Sequence, residues 1–263
     1  MPDTATEMPL VARTDHDGFV TITMNNPSRR NALSGAMMTA LQKAFEQIAN
    51  ETDIRCVILA AEGPVFCAGH DLKEMRGITE CDQHASLFNQ CSELMMTIVS
   101  LPQPVIARVR GMATAAGCQL VASCDLAVAA STARFATPGV NIGLFCSTPM
   151  VALTRNIPRK QAFEMLSTGR FAEAEEARQM GLINRVVPGA QLAEATAELA
   201  DTVAGKLGAA VKIGKEAFYA QAEMGLDAAY AYAGQVMVDN MLWRDTDEGI
   251  TAFLEKRAPD WTQ

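Results

Sequence analysis

The sequence predicts an α/β fold built on a largely parallel sheet, followed by a helical C-terminal region. Three observations carry this. Residues 55–60 (RCVILA) form a short, mainly apolar run, as a strand buried on both faces requires. Between residues 18 and 187, strand-like and helix-like stretches alternate, and such alternation joins by right-handed crossovers into a parallel sheet. Past residue 190 the stretches are almost all helical. A chain of 263 residues is long enough for one large domain with a full core. It divides into an α/β core over residues 1–190 and a helical region over residues 191–263.

Each element follows from local pattern. Residues 18–24 alternate Val20, Ile22 and Met24 with Thr21 and Thr23, the signature of a half-buried strand. Asn25, Asn26 and Pro27 turn the chain. Ser34 then caps a helix that places Met37, Leu41, Phe45 and Ile48 on one face. After the apolar strand, a helix over residues 83–99 is stopped by Pro102 and Pro104. Residues 105–109 follow as a strand, 117–124 as a helix and 126–130 as a strand. Helices are then expected over 159–166, 172–180, 191–207, 210–223, 226–243 and 247–257. Gly181 closes the second of these, and residues 182–187 hold a short strand. Asp245 with Glu248 matches the capping-box pattern ahead of the last helix.

Charge and composition bound the partners. Lys and Arg number 22 against 30 Asp and Glu, a net charge of −8, which argues against nucleic acid and against anionic membrane surfaces. The 7 cysteines are scattered without a Cys-x-x-Cys pair, and no two histidines stand at metal-ligand spacing. Neither a disulfide framework nor a metal site is expected. Residues 1–13 include Asp3 and Glu7 and no apolar core, so they read as neither a signal peptide nor a clear transit peptide. The expected location is the cytoplasm, or the mitochondrial matrix in a eukaryote. Residues 135–154 carry no charge but include Pro138, Asn141 and Pro149, and read as buried loop and core instead of a membrane span.

Two loops stand out for chemistry. Residues 66–72 (FCAGHDL) follow the buried strand, and residues 111–120 (GMATAAGCQL) lead from a strand into a helix. Both lie at the carboxyl ends of strands, where open α/β sheets bind ligands. Their small residues let backbone N–H groups approach a ligand closely, and the second loop adds the unpaired amides of a helix start. Two such amides aimed at one point stabilise an oxyanion. Tight loop-on-sheet packing is the plainer use of the same residues. No phosphate-binding glycine loop, nucleophile elbow or zinc-protease motif is present.

Several segments together resemble the crotonase (enoyl-CoA hydratase/isomerase) superfamily. They are residues 20–33 (VTITMNNPSRRNAL), 65–74 (VFCAGHDLKE), 104–130, 135–143, 168–187 and 253–257. The resemblance implies a crotonase-like spiral of ββα units with a helical C-terminal trimerisation region. It implies a homotrimer or a hexamer (a dimer of trimers), and an acyl-CoA ligand whose coenzyme A belongs to the substrate, with no separate cofactor. By motif position it makes the N–H groups of His70 and Ala116 the oxyanion hole. It places substrate contacts at Arg30, Ala32, Ala68, Asp71, Leu72, Lys73 and Cys146, and on a neighbouring subunit at Phe253 and Lys256.

The chain departs from the pattern of the family it resembles at the acid–base positions. Hydratases of this family use two glutamates, and the corresponding positions here are Gln119 and Gly139. An amide orients water but takes no proton, and glycine does neither. General acid–base catalysis is worth roughly 10²–10⁴ per group, so efficient hydration of a simple enoyl-CoA is not expected. His70 brings an imidazole suited to neutral pH. Asp71 reads as a brace for its loop, and Cys146 as pocket lining, since a thiol nucleophile needs an adjacent base. Three readings stay open: an enoyl-CoA hydratase/isomerase (lyase) with altered acid–base groups, a thioesterase or decarboxylase of the same fold, and a non-catalytic acyl-CoA binder.

Overall fold

The computed structural model describes residues 8–262. The expectation for residues 1–13 therefore falls in part outside the described residues. Among the described residues, ten strands form two sheets. The larger has six strands in the order β1-β2-β3-β5-β7-β10: β1 (Val11–Asp15), β2 (Phe19–Met24), β3 (Cys56–Ala61), β5 (Val105–Val109), β7 (Leu126–Ala130) and β10 (Arg185–Val187). Only β1 is antiparallel to its neighbour. The smaller sheet has the order β4-β6-β8-β9: β4 (Val65–Cys67), β6 (Met112–Thr114), β8 (Arg134–Ala136) and β9 (Phe171–Glu173). Successive strands alternate between the sheets, β3 then β4, β5 then β6, β7 then β8. After β4 come α2 (Leu72–Gly77) and α3 (Cys81–Ser100), and after β6 comes α4 (Ala116–Ser123). This is the expected spiral of ββα units.

The period-2 rule divides the large sheet between two cores. Val20, Ile22, Met24, Val57, Leu59, Val105, Ala107 and Ala127 face the side covered by α1 (Gly35–Ile48) and α3. Phe19, Ile58, Ala60, Ile106 and Val128 face the other side, where α8 (Leu192–Ala204) supplies Leu192, Leu199, Ala200 and Ala204. So β2, expected half-buried, is buried along its whole length, Thr21 and Thr23 included. The alternation in its sequence was read correctly as strand, but its second face is covered from far along the chain. The same contact shows that the helical region is not uniform. Although α8 follows residue 190, it closes the sheet, and the helices free of the sheet begin with α9 (Gly208–Ala222).

Two caps follow the pattern. The Ser34 hydroxyl accepts from the Met37 N–H at 3.2 Å, with Met37, Met38, Leu41, Phe45 and Ile48 buried beneath. Gly181, at φ +89°, ends α7 (Ala174–Met180). The capping box at Asp245 and Glu248 does not form. The last helix, α11, runs Arg244–Glu255, so Asp245 lies inside its first turn, buried, accepting from the N–H and hydroxyl of Thr262. Glu248 instead accepts from Arg257 and from the Asp260 N–H. Tertiary partners from the C-terminal tail have taken both carboxylates. Residues 135–154 form β8, a 3-10 turn at Pro138–Ile142 and α5 (Ser147–Asn156). No described helix is long and apolar enough to cross a membrane. The stretch is less buried than expected, because Ile142, Leu144, Phe145 and Val151 are exposed.

A buried ion pair ties the helical region to the core. Lys215 of α9 donates to Asp125 Oδ2 at 2.7 Å and to the carbonyls of Ile98 and Gln103 at 2.9 and 3.1 Å. Asp125 also accepts from the Val105 N–H at 2.7 Å and from the Tyr219 hydroxyl at 3.0 Å. Every donor on the ammonium is matched. Replacing Lys215 by Met removes the counter-ion of a nearly buried carboxylate and the donor to two carbonyls, so unfolding in urea should show a loss of about 3–5 kcal/mol. Adding Asp125→Asn should recover part of that loss.

Candidate functional site

The site begins with a buried asparagine. Asn31, at φ +50°, donates its amide to the carbonyls of Glu62 and Val65, each at 2.9 Å, while its Oδ1 accepts from the Asn26 N–H at 2.8 Å. It thereby pins the segment ahead of α1 to the connection between β3 and β4. That segment then pairs with the first glycine-containing loop. The Ala68 N–H donates to the Arg30 carbonyl at 3.1 Å, and the Leu33 N–H donates to the Gly69 carbonyl at 2.8 Å. Leu33 and His70 form a parallel bridge. In a parallel bridge the residues flanking His70 supply the bonds to Leu33, so the N–H of His70 itself turns to the opposite side.

The second loop lies against the first. Ala115 joins β6 to α4 at φ +51° and ψ −120°, a conformation an L-residue adopts under strain. Its N–H is held by the Ala136 carbonyl at 2.9 Å. A Cβ on Gly69 would lie 2.9 Å from the Ala115 Cβ, 3.0 Å from the Thr114 carbonyl oxygen and 3.4 Å from the Ala116 nitrogen. A Cβ on Gly117 would overlap the Cys67 carbonyl oxygen. Glycine at these two positions lets the loops meet. Ala116, buried, is the first residue of α4, so its N–H has no partner one turn back.

Around these amides sit the expected acid–base positions. Gln119 is 4 % exposed, and its Oε1 is buried with no hydrogen-bond partner. Gly139 is buried in the turn after β8, and a Cβ there would lie 2.7 Å from the Leu144 carbonyl oxygen and 2.9 Å from the Cys146 sulfur. The loop after the turn fills the space a side chain at 139 would need. Burial raises the Cys146 thiol above its ordinary value, and the Gly139 N–H only partly offsets this, so the sulfur is a poor nucleophile. The same holds for Cys67 and Cys118, both buried and pushed up to about 12.

His70 is half-buried. Its Nδ1 lies 3.3 Å from the Leu33 carbonyl oxygen, and its ring meets Phe88 edge-on at 5.6 Å. Nε2 is buried without a partner. Burial draws the imidazole pKa below its ordinary value, and the Leu33 carbonyl and the Glu74 carboxylate oppose this only in part.

Asp71 accepts the N–H groups of Lys73 and Glu74 at 2.9 and 3.3 Å and pairs with Arg29 at 2.9 Å. Burial pushes its carboxyl up, but these partners outweigh that and hold it below the usual range. Leu72 and Lys73 open α2 on the surface, Arg30 is exposed, Ala32 is buried and Ala68 is half-buried beside the same loop. The chain does not bring Phe253 and Lys256 to this place. Both are exposed on and just after α11, which packs beside the start of α9 and the end of α10 (Leu226–Met241). Sequence reasoning missed Asn31 as the organiser. Its signal was its residue type, because asparagine tolerates positive φ and carries both a donor and an acceptor.

The family model for enoyl-CoA hydratase/isomerase matches residues 14–263. The human protein named enoyl-CoA hydratase domain-containing protein 3, mitochondrial, is 52 % identical over 246 residues, covering 94 % of this chain and 81 % of its own. The rat protein of that name is 50 % identical over 253 residues, covering 96 % and 84 %. The crystal structure of an enoyl-CoA hydratase from Mycobacterium smegmatis superposes with a TM-score of 0.95 at 51 % identity, covering 97 % of this chain and 100 % of that one. The crystal structure of human enoyl-CoA hydratase domain-containing protein 3 gives 0.93 at 51 %, covering 96 % and 100 %. With the spiral, the paired loops and these likenesses in agreement, the chain belongs to the enoyl-CoA hydratase/isomerase family.

Proposed function

We propose that this protein binds an acyl-CoA thioester and stabilises negative charge on its carbonyl oxygen with the N–H groups of His70 and Ala116. The observation that carries the reading is the approach of Gly69 to Ala116, with the Leu33–His70 bridge turning the His70 N–H away from its own strand partner. Enolate and tetrahedral intermediates of thioesters concentrate charge on that oxygen, and one such donor is typically worth about 10²–10³ in rate. Arg30 and Lys73 are exposed beside the loop and suit the phosphates of the coenzyme A portion.

Phe253 and Lys256 reach a thioester only from another copy of the chain. The exposed Leu242, Phe253 and Leu254 support such assembly into trimers, or hexamers of two trimers. The relatives named as mitochondrial favour the matrix over the cytoplasm for a eukaryotic chain. Water addition by two carboxylates is not part of the reading. Gln119 takes up no proton, and the space beside Gly139 is occupied by Leu144 and Cys146.

The test is a structure with a saturated acyl-CoA bound. The thioester oxygen should lie about 3 Å from both the His70 and Ala116 nitrogens, and a carbonyl elsewhere overturns the assignment. Incubation with enoyl-, β-keto-, malonyl- and saturated acyl-CoA, read by mass spectrometry, separates hydration, isomerisation, thioester cleavage, decarboxylation and binding without turnover. A second expectation concerns residue 139. Gly139→Glu should lower stability by about 1–3 kcal/mol in urea unfolding, because its Cβ meets a backbone carbonyl, and should not create efficient hydration.

A further inference from the structure

The loop that carries the His70 N–H is held from one side by the segment Arg30–Leu33, and that segment is held by a single side chain. We propose that Asn31 is the positioning residue of this site. It sets the direction of the His70 N–H, and through Gly69 the spacing between that N–H and the N–H of Ala116, without itself touching the ligand. The proposal rests on the acyl-CoA reading above and names the residue that controls how strongly the thioester carbonyl is polarised.

The bonds form a short ladder. The Arg30 carbonyl accepts from the Ala68 N–H at 3.1 Å, the Leu33 N–H donates to the Gly69 carbonyl at 2.8 Å, and Leu33 bridges His70. Asn31 lies between the two rungs and is fully buried. Its amide donates to the carbonyls of Glu62 and Val65, each at 2.9 Å, and its Oδ1 accepts from the Asn26 N–H at 2.8 Å. Val65 opens β4, the strand that ends at Cys67 just ahead of the loop. One side chain therefore ties both sides of the ladder, the segment it belongs to and the strand that delivers His70.

The residue type is dictated by two requirements at once. Arg30 and Asn31 are consecutive left-handed residues, at φ +53° and +50°, and such backbone persists only where its surroundings enforce it. Asparagine tolerates this φ and carries two donors and an acceptor on a short stem. Glycine meets the first requirement and makes none of the bonds. Ionised aspartate keeps the shape and the acceptor but has no donor for the two carbonyls. The charged neighbours act elsewhere. Asp71 accepts from the N–H groups of Lys73 and Glu74 and pairs with Arg29, and Glu74 accepts from the Gly35 N–H at the start of α1.

Gly69 transmits the effect to the second amide. It is bonded to Leu33 on one side and lies against Ala115 and Ala116 on the other, where a Cβ would stand 3.4 Å from the Ala116 nitrogen. A shift of the ladder therefore turns the His70 N–H and alters its spacing from the Ala116 N–H together. Hydrogen bonds weaken steeply with distance and angle, so a small displacement is enough to lose one donor at the carbonyl. A thioester carbonyl polarised by two N–H groups vibrates at lower frequency than in water. Misplacing one of two comparable donors should remove about half of that red shift.

The experiment uses the full chain and butyryl-CoA labelled with ¹³C at the carbonyl. Isotope-edited infrared difference spectra read the carbonyl frequency of the bound thioester, and calorimetry measures binding. Wild type should bind and show a red shift relative to the free thioester. Asn31→Gly keeps the left-handed backbone and should still bind, with about half of the red shift gone. Asn31→Asp gives up at least one donor and should lose a smaller share if it holds a proton and a comparable one if it does not. Circular dichroism establishes which variants are folded, and Asn31→Asp, closest in shape to the native residue, serves where the glycine variant is not. Lys215→Met, destabilised far from the loops, should keep the whole shift. A folded, ligand-bound Asn31 variant with the full wild-type shift overturns the role of Asn31. So does an equal loss in Lys215→Met, because the shift would then follow stability and not position. Binding by wild type without a red shift overturns the paired amides, and absence of binding overturns the acyl-CoA reading.

Discussion

A two-residue parallel bridge decides the geometry of this molecule's site. Where Leu33 meets His70, the segment ahead of α1 is joined to the end of β4, and the chain on both sides is committed. One consequence is local. With its neighbours bonded to Leu33, His70 directs its N–H away from them and holds its ring against the Leu33 carbonyl. The other is long-range. The loop so fixed is the one on which Ala115 and Ala116 rest, and the absence of side chains at Gly69 and Gly117 makes that contact possible. The positive φ at Asn31 and Ala115 costs of order 1–3 kcal/mol each, and buried hydrogen bonds on either side hold it in place.

At the two positions where the family resemblance implies catalytic glutamates, this chain carries Gln119 and Gly139. Gln119 retains the size of a glutamate without its acid, and at 139 even the room for a side chain is gone. These changes are of different kinds. The first preserves shape and removes a proton acceptor. The second lets Cys146 and the Leu144 carbonyl close over the turn. On the proposed reading, a site with paired amides and no carboxylate at either position must find its base elsewhere or use none.

Much of the fold was legible. β3 read as a two-sided strand because its apolar run had no polar face, and α1 read as a helix because Ser34 stood ahead of a 3.6-residue stripe. β2 was misjudged because its threonines report on local polarity, whereas α8, some 170 residues later, decides what covers them. Asp245 and Glu248 matched a capping spacing, yet Thr262, Arg257 and Asp260 arrive from the C-terminal tail and take them. Asp125 and Lys215 could not be paired from sequence, since 90 positions separate them.

The sequence by itself determined the kinds of element, their order and the two small-residue loops. These are properties of residue type and short-range spacing. Tertiary structure alone decided which atoms face each other. It set the turn of the His70 N–H, the closure of the space beside Gly139, and the separation of Phe253 and Lys256 from the rest of the site. Each depends on contacts between residues distant in the chain, where direction and distance matter and composition carries no record of either.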